Sequence, residues 1–263
     1  MSFQNKLQGI KEIWHFDNRW QLLIARLFFR HELINVYRLK GMNILVDHAA
    51  GDANGARETI VSPMYRQFLP RMKLGKAINV LDIGANNGGF PLMLRANGIA
   101  LKKLASVEFN PNTFTRLRFN VERNIDCEFI GLNAAICGEQ RVFEAHLGQG
   151  SVGDSIYQKA PVNGARLYQI KGMTFDEIYS SSFGEDLVDI CKIDVEGAEY
   201  EIFDSPNHHK LSLCRYLIIE IHDGYEKNPS EVVDKLARLN FLEQPLGTDT
   251  DRDVHFFVNA KMN

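Results

Sequence analysis

The sequence predicts an α/β fold built on a mostly parallel sheet with helices on both faces. Three observations carry this. From residue 76 onward, apolar runs of strand length alternate with helical patterns, which is the rhythm of βαβ units. Two runs, 188–193 and 216–221, are almost continuously apolar, as strands buried on both faces should be. A third run ends in an acid and flows into a glycine-rich turn, Asp82-Ile83-Gly84-Ala85-Asn86-Asn87-Gly88-Gly89, ahead of a helical pattern. Such a corner places backbone N–H groups at the carboxyl edge of a sheet, where ligands bind.

Taken in order, residues 1–75 read as a helical extension, a cap ahead of the domain formed by residues 76–263. No targeting segment is expected at the N-terminus. Within 20–37, Trp20, Leu23, Leu27, Ile34 and Tyr37 recur at helical spacing, which predicts a helix packed on its own domain, with a membrane-surface or partner helix as the alternative. Arg26, Arg30, His31 and Glu32 interrupt the stretch, so it falls short of the roughly 18 uncharged apolar residues of a membrane span. A strand at 78–83, a helix near 89–96, a strand at 104–109, a helix near 112–123 and a strand at 127–136 follow. Segments 141–147 and 165–170 then alternate like exposed strands around the Gly- and Ser-rich 148–155, which predicts a hairpin-like insertion. After the buried runs at 188–193 and 216–221 come a helix at 229–239 and a last strand at 254–258.

With 263 residues, 45% hydrophobic and 24% charged, the chain has the profile of a globular domain rather than a disordered or fibrous one. Thirty Lys plus Arg against 33 Asp plus Glu leave a formal charge of -3, so no global positive field recruits nucleic acid or an anionic membrane, although a local basic patch remains open. Cys127, Cys137, Cys191 and Cys214 are scattered without a C-x-x-C. Neither a disulfide framework nor a zinc site is expected, and a cytoplasmic, reducing location is the simplest.

The chemistry concentrates at three strand ends. Glu108 lies 24 residues past Gly84 at the end of the second apolar run, where an acid holds ribose hydroxyls. Two cofactors fit the pair. A dinucleotide such as NAD would use Gly84, Asn86 and Gly89 as G-x-G-x-x-G, but Asn86 replaces the glycine that lets a backbone approach pyrophosphate. S-adenosylmethionine needs no such approach and carries an ammonium and a sulfonium that Asp82 can help to accommodate. A turn that merely closes the strand–helix corner is the plainer alternative. The run Lys192-Ile193-Asp194-Val195-Glu196-Gly197-Ala198-Glu199 turns Asp194 toward the cofactor's reactive end, with Lys192 on the same face. Lys192 is then either functional or the partner of an internal ion pair. Glu220 and His222 share a face at the next strand end. His222 is a natural proton acceptor from a hydroxyl, while Glu220 is as readily a partner for Lys192.

D-x-G-A-N-x-G at 82–88 and K-I-D-V-E-G-A-E at 192–199 together resemble the FkbM-type methyltransferases, over approximately residues 76–225. The resemblance implies the class I methyltransferase fold, a Rossmann-like seven-stranded sheet, with S-adenosylmethionine as cofactor. It implies a cofactor loop of Asp82, Gly84, Asn86 and Gly88, a ribose acid at Glu108 with Phe109 beside it, and Asn133 and Ala135 near the adenine. It also aligns a Ser-rich loop with 151–155 and a signature with Asp194, Glu196 and Gly197. The family's E-P after the second strand is absent, since Phe109-Asn110 intervene before Pro111. The implied reaction is O-methylation of a small-molecule or carbohydrate hydroxyl, with His222 or Asp194 removing the proton and Lys192 alongside. Neither N/D-P-P-Y/F nor a Pro-Cys follows the fourth strand, so nucleic acid is disfavoured as acceptor. Asp194, Glu196, Glu220 and His222 also offer ligands that suit a divalent ion, a reading held behind the metal-free one. A nicotinamide oxidoreductase and a non-catalytic cofactor-binding module stay as alternatives.

Three features lie outside that pattern. His48, Asp52, Arg57, Glu58 and Tyr65 surround the turn at 51–55, and form either a cap over the acceptor pocket or a solvated loop between helices. His208 and His209 read as surface residues. The loop 247–253, with three aspartates and an arginine, borders the pocket or is a solvated turn.

Overall fold

The computed structural model describes residues 9–29, 34–147, 166–222, 227–245 and 253–262. Short 3-10 turns at Arg66–Arg71 and His209–Leu213 aside, the elements begin in chain order with α1 (Arg19–Phe28), β1 (Ile34–Leu39), β2 (Met42–Asp47), α2 (Asp52–Val61), β3 (Ala77–Ile83), α3 (Gly89–Ala96), β4 (Ala100–Val107) and α4 (Pro111–Asn124). They continue with β5 (Glu128–Leu132), β6 (Ala135–Ile136), β7 (Val142–Leu147), β8 (Arg166–Met173), α5 (Phe175–Phe183), β9 (Val188–Ile193), α6 (Glu199–Asp204), β10 (Cys214–Glu220), α7 (Pro229–Arg238), β11 (Phe241–Glu243) and β12 (Val254–Asn259).

Seven of these strands make the sheet that positions the site, in the order β11-β12-β10-β9-β3-β4-β5. The pairs β10–β9, β9–β3, β3–β4 and β4–β5 are parallel, while β12 runs antiparallel to β10 and β11. The chain steps outward from β3 to β4 and β5, then returns to lay β9 against the other side of β3. This reversal opens a crevice at the carboxyl ends of β3 and β9. Side chains alternate across the strands. Val80, Leu104, Ile190 and Ile218 therefore enter one core with the N-terminal elements, and Leu81, Ile193, Leu217 and Ile219 enter the other with α5, α6 and α7.

Most of the expected elements are present, with differences that have local causes. The stretch 127–136 splits, because Asn133 turns its side chain back to donate to the carbonyls of Glu108 (2.8 Å) and Phe109 (3.0 Å). β6 then leaves the main sheet and pairs with β8, itself antiparallel to β7 in the expected insertion. β4 ends at Val107, so Glu108 begins the loop rather than ending the strand. The four cysteines are free.

The extension is not wholly helical. β1 and β2 form an antiparallel hairpin around Lys40 and Gly41, both at positive φ, as two-residue hairpin turns require. Ile34 and Tyr37 lie on β1 rather than on the helix, whose stripe ends at Phe28; branched and aromatic side chains around Val36 favour the strand. Nor does that helix pack broadly on its domain. Leu22 is its one buried residue, and Trp20 and Leu27 face outward. The hairpin and α2 do pack. Asn120 and Asn124, one turn apart on α4, pair their amides with the backbone N–H and C=O groups of Leu45 and Asn43 at 2.7–3.0 Å. Asp52, buried at the start of α2, takes the Arg116 guanidinium at 3.0 Å.

Candidate active site

The cleft at the carboxyl ends of β3, β4 and β9 encloses about 860 Å³, its open mouth included, within the range of small-molecule sites. Its floor and walls include Gly84, Asn86, Glu108, Ala135 and Asp194, and α2 contributes Gly55 and Thr59 from the extension.

Gly84 crosses under β9's exit at φ +76, and a Cβ built there would lie 1.7 Å from the carbonyl oxygen of Asp194. The glycine is required by chain crossing rather than by a ligand. Its N–H and that of Ala85 go to the Val107 carbonyl at 3.0 and 2.9 Å. Asn86 takes a left-handed conformation at φ +48, which a short polar side chain tolerates. Its N–H donates to Glu108 Oε2 at 3.0 Å, and Asn110 N–H donates to Oε1 at 2.8 Å. The Asn87 and Gly88 amides go to Asn86 Oδ1 and the Ala85 carbonyl at 2.7 and 2.9 Å. The loop's donors from Gly84 to Gly88 are thus satisfied within the protein, which removes the main means by which a glycine loop holds a pyrophosphate.

Beneath the loop, Asp82 is fully buried and does not reach the cleft, contrary to its expected place beside a cofactor's cationic groups. Burial pushes its carboxyl up to about 6, against the opposing pull of Lys192, whose Nζ lies 3.6 Å from it. Lys192 donates to the Gly84 carbonyl at 2.7 Å and sits 3.1 Å from Asp194 Oδ2. The internal ion pair is therefore realised, with Lys192 as its hub. Burial alone would lower the lysine, but Asp194 and Asp82 hold it above its ordinary value. Two further expected cofactor contacts lie outside the cleft. Gly88 caps α3 and faces Leu117, and Asn133 braces the loop after β4. Phe109 and Ala135 do line it.

At the other end of the cleft a cluster of acids gathers. Tyr65, from the extension, donates its hydroxyl to Asp194 Oδ2 at 3.2 Å and Glu220 Oε2 at 3.3 Å. Burial, and then Asp194, push Glu220 up to about 7. His222 stands among three carboxylates: Glu199 Oε1 at 3.1 Å from Nδ1, with Glu196 Oε2 at 3.4 Å and Glu220 Oε1 at 3.6 Å from Nε2. Burial opposes its charge, yet the bond to fully buried Glu199 and the neighbouring acids raise it to about 9. Its raised value favours the charged ring near neutral pH, which weighs against the expectation that His222 accepts a proton. Asp194, Glu220 and His222 also bring ligand atoms within 4.8 Å of one another, but Asp194 Oδ2 already faces an ammonium and a hydroxyl donor, which a divalent ion would have to displace.

The shifts share one sign. Asp82, Glu196 and Glu220 are raised, and so is His222. The folded state therefore holds protons that the unfolded chain releases: the acids' contribution fades as pH rises from about 4 toward 7, and the histidine's from about 6.5 through 9. The protein is expected to melt at least about 4 °C higher at pH 5.5 than at pH 8.5, and His222→Gln is expected to flatten the alkaline part of that decline. Scanning calorimetry across this range checks both.

Of residues 1–75, Thr59 lines the cleft and Tyr65 reaches Asp194 and Glu220. His48 instead contacts the Tyr37 hydroxyl at 3.3 Å, and Asp52 serves the Arg116 pair. His208 packs against Phe203. The expected Ser-rich loop at 151–155, the loop at 247–252 and the Arg57 side chain lie outside the described residues. Sequence reading missed the roles of Glu199, which fixes His222, and of Thr59. Glu199 stood in the quoted motif, but nothing local marked it as buried.

Over residues 82–243, more than half of the chain, the sequence matches the family described as methyltransferase FkbM domain. Among solved structures, the chain is similar to the methyltransferase FkbM from Methylobacillus flagellatus KT, at 14% identity and a TM-score of 0.48, covering 74% of this chain and 47% of that one. It is similar to the tRNA (uracil-54, C5)-methyltransferase of Pyrococcus abyssi in complex with S-adenosyl-L-homocysteine, at 13% identity and a TM-score of 0.43, covering 86% and 45%. It is also similar to Aeropyrum pernix fibrillarin with natively bound S-adenosyl-L-methionine, at 14% identity and a TM-score of 0.42, covering 85% and 81%. The chain spans about half the length of the first two. No curated protein matches it.

Proposed function

This chain belongs to the FkbM methyltransferase family and has the class I methyltransferase fold, and from that premise we propose that it uses S-adenosylmethionine to methylate a hydroxyl of a carbohydrate or other small-molecule acceptor. The carrying observation is the acceptor set of the cleft: carboxylates at both ends, Glu108 at one and Asp194 and Glu196 at the other, with a glycine loop whose amides are internally satisfied. That set suits ribose hydroxyls and a cationic centre and does not suit a pyrophosphate, which counts against the oxidoreductase alternative.

Glu108 would hold the ribose, with Phe109 and Ala135 as walls of the nucleoside end. The bound cofactor supplies a methyl on sulfonium sulfur. Asp194 would take the hydroxyl proton of an acceptor held against that methyl. Tyr65 links Asp194 to Glu220 through its hydroxyl, so the protonation of one acid bears on the other. Lys192 fixes Asp194 in place. Much of the rate in such an in-line displacement comes from orientation. Four acids, Asp194, Glu196, Glu199 and Glu220, stand here against two cations, Lys192 and His222, so this end repels phosphate-rich acceptors and favours neutral ones. Residues 1–75 act as the cap, through Tyr65, Gly55 and Thr59, and 76–263 as the catalytic domain. Among the described residues, no helix is long and apolar enough to cross a membrane.

Calorimetric titration with S-adenosylmethionine, S-adenosylhomocysteine and NAD tests the reading. The two sulfur nucleotides are expected to bind saturably, and Glu108→Ala to weaken both by roughly 30-fold, about the value of one or two hydrogen bonds to a charged group. Binding of NAD alone would overturn it. Saturable binding with no release of S-adenosylhomocysteine in the presence of hydroxyl acceptors would favour the non-catalytic module.

A further inference from the structure

The N-terminal helix turns its apolar stripe away from the protein. In α1, Trp20, Ile24, Leu27 and Phe28 fall at i, i+4, i+7 and i+8, on one face of a helix, and are 61%, 50%, 63% and 75% exposed. Leu22, on the opposite side, is the buried residue of the helix, with Leu23 partly buried beside it. Trp14 extends the stripe, its ring edge-on to Trp20 at 5.2 Å, and is itself half exposed. Soluble proteins rarely leave such a contiguous apolar patch without a use for it.

Its charge and composition point to the occupant. The ten residues of α1 hold two arginines, Arg19 and Arg26, and no acid. Across 9–29, Lys11, Arg19 and Arg26 face Glu12 and Asp17, so the patch is locally cationic in a chain whose net charge is negative. By helical angle, both arginines fall between Leu22 and Leu23, to one side of the stripe, and Arg19 sets its guanidinium 5.5 Å from the centre of the Trp14 ring, within the patch. Aromatic and aliphatic residues on one arc with arginine at its edge are the pattern of helices that lie in the interface of an anionic bilayer, and tryptophan favours that depth. A second copy of this chain fits less well, because an antiparallel two-fold pairing of the stripe brings the arginine-bearing sides of the two helices together.

We propose that α1, with Trp14, docks the protein on an anionic lipid surface. The inference is independent of the reaction assigned to the cleft.

Both tryptophans of the chain lie in the patch, so the full-length protein reports on its own docking. Vesicles of phosphatidylcholine with phosphatidylglycerol are expected to shift tryptophan emission to the blue and to sediment the protein; pure phosphatidylcholine and high salt are expected to do so weakly. Leu27→Ser with Phe28→Ser is expected to weaken partitioning at least tenfold, about 1.4 kcal/mol, while melting temperature and cofactor binding stay unchanged. Arg26→Gln, which leaves the apolar stripe intact, is expected to reduce the preference for the anionic vesicles. Absence of binding to either vesicle would overturn the proposal. So would a concentration-dependent dimer, seen by analytical ultracentrifugation, that the double substitution dissolves without any lipid effect.

Discussion

Gly84→Ala is expected to leave little folded protein. The added Cβ would sit 1.7 Å from the Asp194 carbonyl oxygen and 2.8 Å from its carbon, and both atoms belong to backbone held by the bond from Asp194 N–H to the Ile83 carbonyl at 3.0 Å. Relief requires β3 and β9 to part at the centre of the sheet. The positive φ adds about 1–2 kcal/mol for any residue with a Cβ. Together the cost is expected to exceed about 4 kcal/mol, a large share of a typical folding free energy of roughly 5–15 kcal/mol. Gly98→Ala separates the two contributions. Gly98 has a similar φ of +79 with nothing within 4 Å of the added atom, so it should show only the backbone cost, about 1–2 kcal/mol. Thermal unfolding of the two variants side by side decides whether the crossing matters; equal losses would refute the steric argument.

Asp194→Asn is expected to lower kcat by about 10²–10⁴, the usual worth of a positioned general base, while changing S-adenosylmethionine affinity less than tenfold. The amide keeps the shape of the carboxylate but accepts no proton. The readout is the release of S-adenosylhomocysteine with a hydroxyl acceptor, alongside calorimetric affinity. Because Tyr65 shares its hydroxyl between Asp194 and Glu220, activity of the native protein should also rise through pH 7, where Glu220 loses its proton, and His222→Gln should move that limb upward by removing a neighbouring positive charge. A loss confined to cofactor affinity would mean that Asp194 holds the cofactor and that the base lies elsewhere.

Much of the architecture was legible because it rests on short-range patterns. Buried parallel strands such as 188–193 announce themselves by continuous apolarity, and helices 111–124 and 229–238 by a proline at their first turn after an asparagine cap. Further local signals were there to be read. Thr174 and Glu177 form a capping box at the start of α5, and Lys40-Gly41 marks the hairpin that residues 34–47 make in place of a continued helix. The ends of strands were less legible, since Glu108 and Asn133 depend on contacts 25 residues apart in the chain.

The sequence by itself determined the doubly wound sheet, the glycine corner at its switch point and which acids gather at the strand ends, since each follows from periodicity and from residues at fixed spacing. Only the tertiary structure decided what those residues do. Asp82 is withdrawn beneath Lys192 rather than presented to a ligand, His222 is ringed by three carboxylates, and Tyr65 enters the site from 129 residues before Asp194. The exposed stripe of α1 belongs to the same class, because helical spacing defines an apolar face without saying which way it points. Protonation, burial and orientation are set by the sum of neighbours from separate elements, and that sum exists only once the chain is folded.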